Sequence, residues 1–230
     1  TGADETDPSD PDSDADGRPG LGVLEWIQYQ MDMSATVGEV IGSDTVIRIS
    51  GRSPLHYLVA DRSGQVAAVE FLDGRMTTHT RASLPVAVLT NNTYEESLAF
   101  LARTREAGRP APEGVQSLHR FARTAERVAA YRKKDPEQAV AHAFTTLGAA
   151  ANETTQWSIV YDAGGRDLHF KTRRQPEIRS LDLGTLDFAC ASPVMMLDMN
   201  AKGRGHVTNA FLPWSVEANI GLVRGAYART

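Results

Sequence analysis

The histidines are the residues best suited to bind a metal ion, and their spacing argues against a metal site. The 230-residue chain has six of them, and no two lie four positions apart with a glutamate between, as a metalloprotease helix requires. A single cysteine also excludes a multi-cysteine zinc site and an internal disulfide. We therefore expect neither a metal nor another cofactor. The histidines are His56, His79, His119, His142, His169 and His206.

Candidate nucleophiles are few. Cys190 lies in the apolar stretch Phe188 to Ala191, where burial disfavours a thiolate, so we expect it to be a buried packing residue. Thr1 could act as an N-terminal nucleophile, but an acidic run follows it instead of a strand. No Gly-x-Ser-x-Gly elbow is present, and Lys202 to Gly205 lacks the Lys-Ser/Thr pair of a phosphate-binding loop and indicates a surface loop. These residues alone leave the activity undefined.

Composition favours one folded domain, because 41% of the residues are hydrophobic. The net charge of -5 is concentrated at the start, since Thr1 to Gly17 holds seven acidic residues and no Lys or Arg. We expect an acidic flexible arm over residues 1–19 and a domain over residues 20–230. A basic patch and an apolar run of about 18 residues are both absent from the sequence, so we expect neither nucleic acid nor a membrane as a partner.

Helical spacing predicts five helices. In the first, Val23, Ile27 and Met31 form an apolar stripe beside Trp26. Ser34 or Thr36 could cap the second, with Glu39 completing a capping box after Thr36. The predicted helices run from Gly22 to Asp32, Thr36 to Gly42, Tyr94 to Arg105, Ser117 to Arg132 and Pro136 to Leu147.

Short apolar runs separated by turn residues predict strands on both sides of the last three helices. Asp73-Gly74 and Gly164-Gly165 indicate hairpin turns, and Asn91-Asn92 suits the end of a strand. This order predicts an α+β layered domain with antiparallel sheets. The predicted strands are Thr45 to Ile49, Leu55 to Ala60, Val66 to Leu72, Met76 to His79, Pro85 to Thr90, Gln156 to Tyr161, Asp167 to Thr172 and Ile178 to Leu183. Their expected core positions are Leu58, Ala60, Val69, Phe71, Ile159, Tyr161 and Phe170.

Five segments in a fixed order carry a resemblance to a known family. They are Trp26 to Val40 with its Thr-Val-x-Glu-Val turn, the hairpin Leu55 to Gly74, Val88-Leu89-Thr90-Asn91-Asn92, Arg120-Phe121-Ala122-Arg123, and the late hairpin Trp157 to Asp162 with Phe170 to Thr172. Together they resemble the choloylglycine hydrolases, the group of conjugated bile salt hydrolases and penicillin V acylases. The resemblance covers about Gly20 to Leu183.

The resemblance implies an αββα sandwich of the N-terminal-nucleophile hydrolase type, in which an N-terminal cysteine attacks an amide and its own amino group is the base. That cysteine lies on the first strand of the family, so we expect it outside this chain, which would then be an incomplete domain and inactive by itself. By resemblance, Asn91 donates to the oxyanion and Arg120 stands beside the thiolate. Asn92 remains an alternative donor, and turn or surface roles remain open for both Asn91 and Arg120.

Two residues depart from the family pattern: Thr93 replaces a usual proline and His119 a usual serine. The substrates implied by resemblance are penicillin V, conjugated bile salts and N-acyl homoserine lactones. A homotetramer and a periplasmic or secreted location are implied in the same way. The alternative function is an inactive fragment or binding scaffold of the same fold.

Overall fold

A computed structural model describes residues 17–50, 55–108, 110–132 and 136–227. The described residues form two compact units, one drawn from residues 17–132 and 146–152, the other from residues 136–145 and 153–227. Most of the predicted acidic arm, with Thr1, lies outside the described residues. Its described end includes Arg18, which forms an ion pair of 3.0 Å with the carboxylate of Asp44.

The first unit combines a three-stranded antiparallel sheet with helices, as predicted. The middle strand is β4, and β3 and β5 flank it. A separate parallel pair joins β1 to β2. In chain order the elements are β1 (Gly20–Leu21), α1 (Val23–Met33), α2 (Val37–Gly42), β2 (Arg48–Ile49), β3 (Tyr57–Ala60), β4 (Val66–Leu72), β5 (Arg75–Thr80), α3 (Tyr94–Glu106) and α4 (Ser117–Ala130).

The first helix, α1, buries a different face from the predicted one. Trp26 and Gln30 are buried, whereas Ile27 and Met31 are exposed. Gln30 can be buried because its Nε2 donates to Ser43 Oγ at 2.7 Å, which satisfies the amide inside the protein. Trp26 packs on the ring of Tyr57 with 4.4 Å between ring centroids.

The capping box of α2 is confirmed. The Thr36 hydroxyl accepts from the backbone N–H of Glu39 at 3.2 Å, and the Glu39 carboxylate accepts from the N–H of Thr36 at 2.9 Å. The Glu39 carboxylate also accepts from the N–H of Ala35 at 2.7 Å, and this hydrogen bond, followed by those from the hydroxyl and N–H of Thr36, holds the pKa of Glu39 below its ordinary value. Two of the otherwise unpaired groups at the helix start are thereby satisfied.

The hairpin from β4 to β5 turns at Asp73 and Gly74, whose φ angles of 50° and 73° are those of the predicted tight turn. Val69 and Phe71 are buried as expected, but Leu58 and Ala60 are exposed. In β3 the opposite alternation faces the core, with partly buried Tyr57 and Val59 packed against it. Both faces of β3 carry apolar residues, so the sequence pattern did not distinguish them.

The predicted strand from Pro85 to Thr90 is wrong. This stretch is irregular, although Val86 and Val88 are buried. Its backbone bonds do not form a strand pairing: both backbone polar groups of Val86 pair with the Tyr94 hydroxyl of α3, and the N–H of Val88 donates to the carbonyl of Val86 at 3.0 Å. The apolar run correctly predicts burial, but whether such a run forms a strand depends on whether a neighbouring strand is present to bond to its backbone.

The second unit contains a four-stranded sheet in the order β10-β8-β7-β6, in which β10 pairs parallel with β8. Phe170 is buried as expected, Ile159 is half-buried, and Tyr161 is exposed, against expectation. The final helix was not predicted. The remaining elements are α5 (Pro136–Ala150), which contributes residues to both units, β6 (Trp157–Asp162), β7 (Asp167–Thr172), β8 (Arg179–Asp182), β9 (Met195–Met196), β10 (Gly205–His206), β11 (Leu212–Pro213) and α6 (Val216–Tyr227).

Cys190 is exposed, so the expected buried packing role is wrong. It lies in a turn that Asp187 organises: the Asp187 carboxylate accepts from the N–H of Ala189 at 2.9 Å and from the hydroxyl of Ser192. These hydrogen bonds hold the pKa of Asp187 below its ordinary value, that from Ser192 having the largest effect. The polar residues on both sides keep the apolar stretch at the surface.

Candidate functional site

The segment that carries Asn91 is fixed to the start of α4. Ser117, the first residue of that helix, accepts from the backbone N–H groups of Asn91 at 2.8 Å and Asn92 at 3.0 Å through its Oγ. The same hydroxyl lies 3.0 Å from Thr90 Oγ1, and Thr90 in turn donates to the carbonyl of Ser117 at 3.1 Å. One serine therefore fixes the backbone of Asn91 and Asn92 and the side chain of Thr90.

Arg120 lies one turn after Ser117, and all three of its guanidinium nitrogens donate hydrogen bonds. Nε donates to the carbonyl of Val115 at 3.0 Å, and Nη1 to that of Ala150 at 3.1 Å. Nη2 donates to Asn91 Oδ1 at 2.5 Å. The Ala150 carbonyl ends α5, where unpaired carbonyls and the helix dipole favour a cation. The guanidinium is half-buried and held in one orientation.

The predicted site residues Asn91 and Arg120 are thus brought into direct contact across 29 positions of sequence. An arginine can only donate hydrogen bonds, so the Asn91 oxygen must face it and the NH2 group must point the other way. Within the part of the chain that the structure describes, that NH2 group has no hydrogen-bond partner. Asn91 is exposed, so its two amide donors are accessible to a bound molecule.

Asn92, the alternative donor, has a different environment. It is 8% exposed, and its Nδ2 donates to the carboxylate of Glu96 at 3.1 Å, one turn into α3. That hydrogen bond ties Asn92 to the helix start. The adjacent asparagines therefore differ, because one amide group is used internally and the other faces outward.

A second arginine adds positive charge beside Arg120. Arg123 Nη1 donates to the carbonyls of Pro112 at 2.9 Å and Gly114 at 2.8 Å, and Nη2 to that of Ala149 at 3.2 Å. Among the described residues no carboxylate lies within 4.0 Å of either guanidinium. Burial, and then the charge of Arg123, lowers the pKa of Arg120. Neutral carbonyls orient the two cations without cancelling their charge.

The two departures from the family pattern fit the local structure. Thr93 is the N-cap of α3, and its hydroxyl accepts from the N–H of Glu96 at 3.3 Å. His119 is half-buried, with its ring 5.6 Å from that of Phe100. Both substitutions leave the contact between Asn91 and Arg120 in place.

The other sequence candidates lie outside the described first unit. Cys190 belongs to the second unit, and Thr1 lies outside the described residues. A pocket of about 520 Å³ in the first unit is lined by residues such as Ile41, Gln65 and Leu84, without Asn91 or Arg120. Within residues 17–50, 55–108, 110–132 and 136–227, no cluster of His, Cys, Asp or Glu could hold a metal ion, and no helix is long and apolar enough to span a membrane.

Sequence reasoning did not find the supporting residues Ser117 and Arg123. Ser117 is the first residue of α4, directly after its N-cap Gln116, and its hydroxyl accepts from the distant segment at Asn91. Arg123 follows Arg120 by three positions, which places both on one helix face. That spacing was the available signal for a paired cationic site.

Comparison with known proteins gives similarity both in sequence and in structure. No family model matches the chain. Penicillin V acylase of Pectobacterium atrosepticum is 26% identical over 210 residues, which cover 75% of this chain and 55% of that protein. The structure of penicillin V acylase from Agrobacterium tumefaciens matches with a TM-score of 0.74 and 25% identity, over 86% of this chain and 69% of the other.

A variant of conjugated bile acid hydrolase from Clostridium perfringens has the same fold, with a TM-score of 0.62 and 15% identity over 74% of this chain and 65% of that one. The chain thus spans about half the length, 55%, of the relative it matches in sequence. The α+β fold is that of the N-terminal-nucleophile hydrolases. By these sequence and structural similarities the chain is choloylglycine hydrolase-like.

Proposed function

We propose that this chain is part of a cysteine-dependent hydrolase of linear amides. The observation that carries the proposal is the Asn91 amide, whose oxygen accepts from Arg120 while its exposed NH2 group remains available. An oriented amide donor of this kind is what an oxyanion hole needs, because it is fixed before charge develops. The names of the two penicillin V acylases and of the bile acid hydrolase support the same reaction class.

In the proposed reaction a thiolate adds to the amide carbon, and the electrons of the C=O double bond move to the oxygen. Asn91 Nδ2 donates to that oxyanion. The C–N bond then breaks, the amine leaves with a proton, and water hydrolyses the acyl thioester. One oxyanion donor of this type contributes about two to three orders of magnitude in rate.

Arg120 and Arg123 supply the electrostatic part of the proposal. A positive charge near a thiol favours the thiolate, and positively charged surroundings lower cysteine pKa values to between about 3.5 and 7.5. Carbonyl acceptors keep this charge available, whereas a carboxylate partner would neutralise it. Arg120 therefore has two proposed effects: it orients Asn91 and it stabilises the thiolate.

We propose that the nucleophile is a cysteine in sequence that precedes this chain in the complete protein. Cys190 does not suit the role, because it is an internal residue whose backbone nitrogen is in a peptide bond and cannot act as the base. The proposed substrates are acyl amides such as penicillin V, conjugated bile salts and N-acyl homoserine lactones. We also propose export to the periplasm or medium and assembly into a homotetramer, which cell fractionation and sedimentation would test.

The test is hydrolysis by the protein translated from the complete open reading frame, measured as released amine for each of the three substrate classes. We expect turnover by the complete protein and none by residues 1–230 alone. Asn91→Ala should lower kcat by about 100-fold or more with little change in KM. The control is Arg127→Gln, which changes an exposed arginine of α4, the helix that carries Arg120. This variant should leave kcat unchanged.

Two results would contradict the proposal. The first is a complete reading frame without a cysteine ahead of this chain, which would favour the alternative of an inactive scaffold. The second is an active protein in which Asn91→Ala and Arg127→Gln have the same kcat as the unmodified enzyme. In that case the substrate would be hydrolysed without a hydrogen bond from Asn91, and the contact between Asn91 and Arg120 would only support the loop.

A further inference from the structure

Glu70 is an ionised residue at the centre of an otherwise apolar strand. Its side chain is fully buried in the middle of β4. The adjacent residues Val69 and Phe71 belong to the apolar cluster around Trp26. Because successive side chains in a strand face opposite ways, Glu70 points to the other side, where Ala68 packs with Tyr94 and Phe121. A carboxylate in this position requires specific partners.

Three groups surround the Glu70 carboxylate. Its Oε1 accepts from the backbone N–H of Tyr94 at 2.9 Å and lies 3.5 Å from His56 Nδ1. Its Oε2 lies 3.1 Å from His79 Nε2. Burial alone would raise the pKa of Glu70, but the contacts with His56 and Tyr94 outweigh it and hold that pKa below its ordinary value. The carboxylate is therefore ionised at neutral pH.

Tyr94 connects this carboxylate to the segment of the proposed site. It is the first residue of α3 and lies three positions after Asn91. Its ring packs on that of His79 with 4.8 Å between centroids. Its hydroxyl donates to the carbonyl of Val86 at 2.7 Å and accepts from the N–H of Val86 at 3.3 Å. Tyr94 thus holds the start of the segment through its hydroxyl and the end through its backbone.

Apolar packing alone does not account for this arrangement. Removing a carboxylate from water costs free energy, and an apolar side chain of similar volume would fill the same space without that cost. The contact that an apolar residue cannot provide is acceptance of the first N–H of α3, where the helix dipole favours a negative charge. Glu70 therefore fixes where α3 begins, and with it the direction in which the preceding asparagines leave the helix.

We propose that Glu70 is a positioning residue for the Asn91 amide, acting through the N–H and ring of Tyr94 across the seven residues from Val86 to Asn92. This inference rests on the proposed function for its effect on catalysis. Its structural part, that Glu70 controls the order of the Asn91 segment, stands without any activity.

The test uses the complete protein and two measurements, amide hydrogen exchange at Asn91 and Asn92 and the separate determination of kcat and KM. Glu70→Leu removes the acceptor. It should speed hydrogen exchange at the backbone N–H groups of Asn91 and Asn92 by about tenfold, which corresponds to the loss of one hydrogen bond. It should also lower kcat by about 10- to 100-fold with a smaller change in KM. Glu70→Gln keeps an oxygen that can accept from the Tyr94 N–H, so this variant should retain most of the kcat of the unmodified protein.

Val69→Ala is the matched control, because it weakens the same strand on its opposite face. It should lower Tm without changing exchange at Asn91 and Asn92 or kcat. If Glu70→Leu does not fold, Glu70→Asp withdraws the carboxylate from Tyr94 by one methylene and should give the same changes at smaller size. Unchanged exchange and kcat in folded Glu70→Leu or Glu70→Asp protein would overturn the proposal, as would Val69→Ala changing both quantities equally.

The two proposals fail in distinguishable ways. If the complete protein hydrolyses no amide but the exchange at Asn91 and Asn92 responds to Glu70 as expected, the proposed function fails and the positioning role remains. If amides are hydrolysed and exchange does not respond, the positioning role fails and the proposed function remains.

Discussion

Replacing Asn91 with aspartate should change activity and stability in opposite directions. The substitution keeps the shape of the side chain and the oxygen that accepts from Arg120 at 2.5 Å, but it replaces the NH2 donor by a second acceptor. In the proposed reaction the oxyanion then loses a donor and meets a negative charge. Loss of the donor alone corresponds to about 3 to 4 kcal/mol of transition-state stabilisation, so kcat should fall by about 100- to 1,000-fold.

Stability should respond the other way, because the new carboxylate forms a charged pair with Arg120. The pair is partly exposed, which limits the gain to about 0 to 1 kcal/mol. The assay is kcat and KM on the best amide substrate, together with urea unfolding of the same preparation. A parallel fall in both quantities would refute the reasoning, because it would mean that Asn91 acts through the fold; an unchanged kcat would refute the donor role directly.

Three further predictions follow from single contacts. Ser117→Ala should lower the free energy of unfolding by about 1 to 2 kcal/mol and reduce kcat, measured by urea unfolding and amide hydrolysis, because two backbone N–H groups lose their acceptor; the same stability as wild type would contradict it. The pKa of Glu70 lies below its ordinary value of 4.5, so the ionised carboxylate stabilises the fold above pH 4.5 and loses this effect as the pH falls below 4.5. Glu70→Gln should therefore flatten the pH dependence of the free energy of unfolding in this window. The thiol of Cys190 should react with a disulfide reagent in the folded protein, and Cys190→Ser should leave kcat and Tm unchanged; a thiol that reacts only after unfolding would show that the surface turn is wrong.

Local signals in the sequence were sufficient for most elements. The capping box at Thr36 and the turn at Asp73-Gly74 each depend on residues within four positions of one another, and both were found where the sequence predicts them. The ends of β4 and β7 also agree with the prediction. These features need no knowledge of distant residues, which is why pattern alone identifies them.

Errors arose where a distant partner decides the outcome. Gln30 is buried because Ser43 accepts its amide, and no spacing rule reveals that pairing. Pro85 to Thr90 has the apolar character of a strand, but the backbone of Val86 pairs with the Tyr94 hydroxyl, and Thr90 Oγ1 donates to the carbonyl of Ser117. The contact between Asn91 and Arg120 joins two elements that hydrophobic periodicity treats separately. Only the resemblance to a known family placed them in one site.

The type of partner that orients the two arginines bears on what they can do. An arginine at the protein surface often pairs with a carboxylate, and the pair then has little net charge that could act on a ligand. Arg120 and Arg123 instead donate to five backbone carbonyls and one side-chain amide, so they remain two positive charges held on one helix face. Burial, and then the neighbouring charge of Arg123, lowers the pKa of Arg120, so keeping this guanidinium charged costs free energy. A fold that needed only to anchor the loops could use neutral donors, so the retained charge favours a site that stabilises an anion.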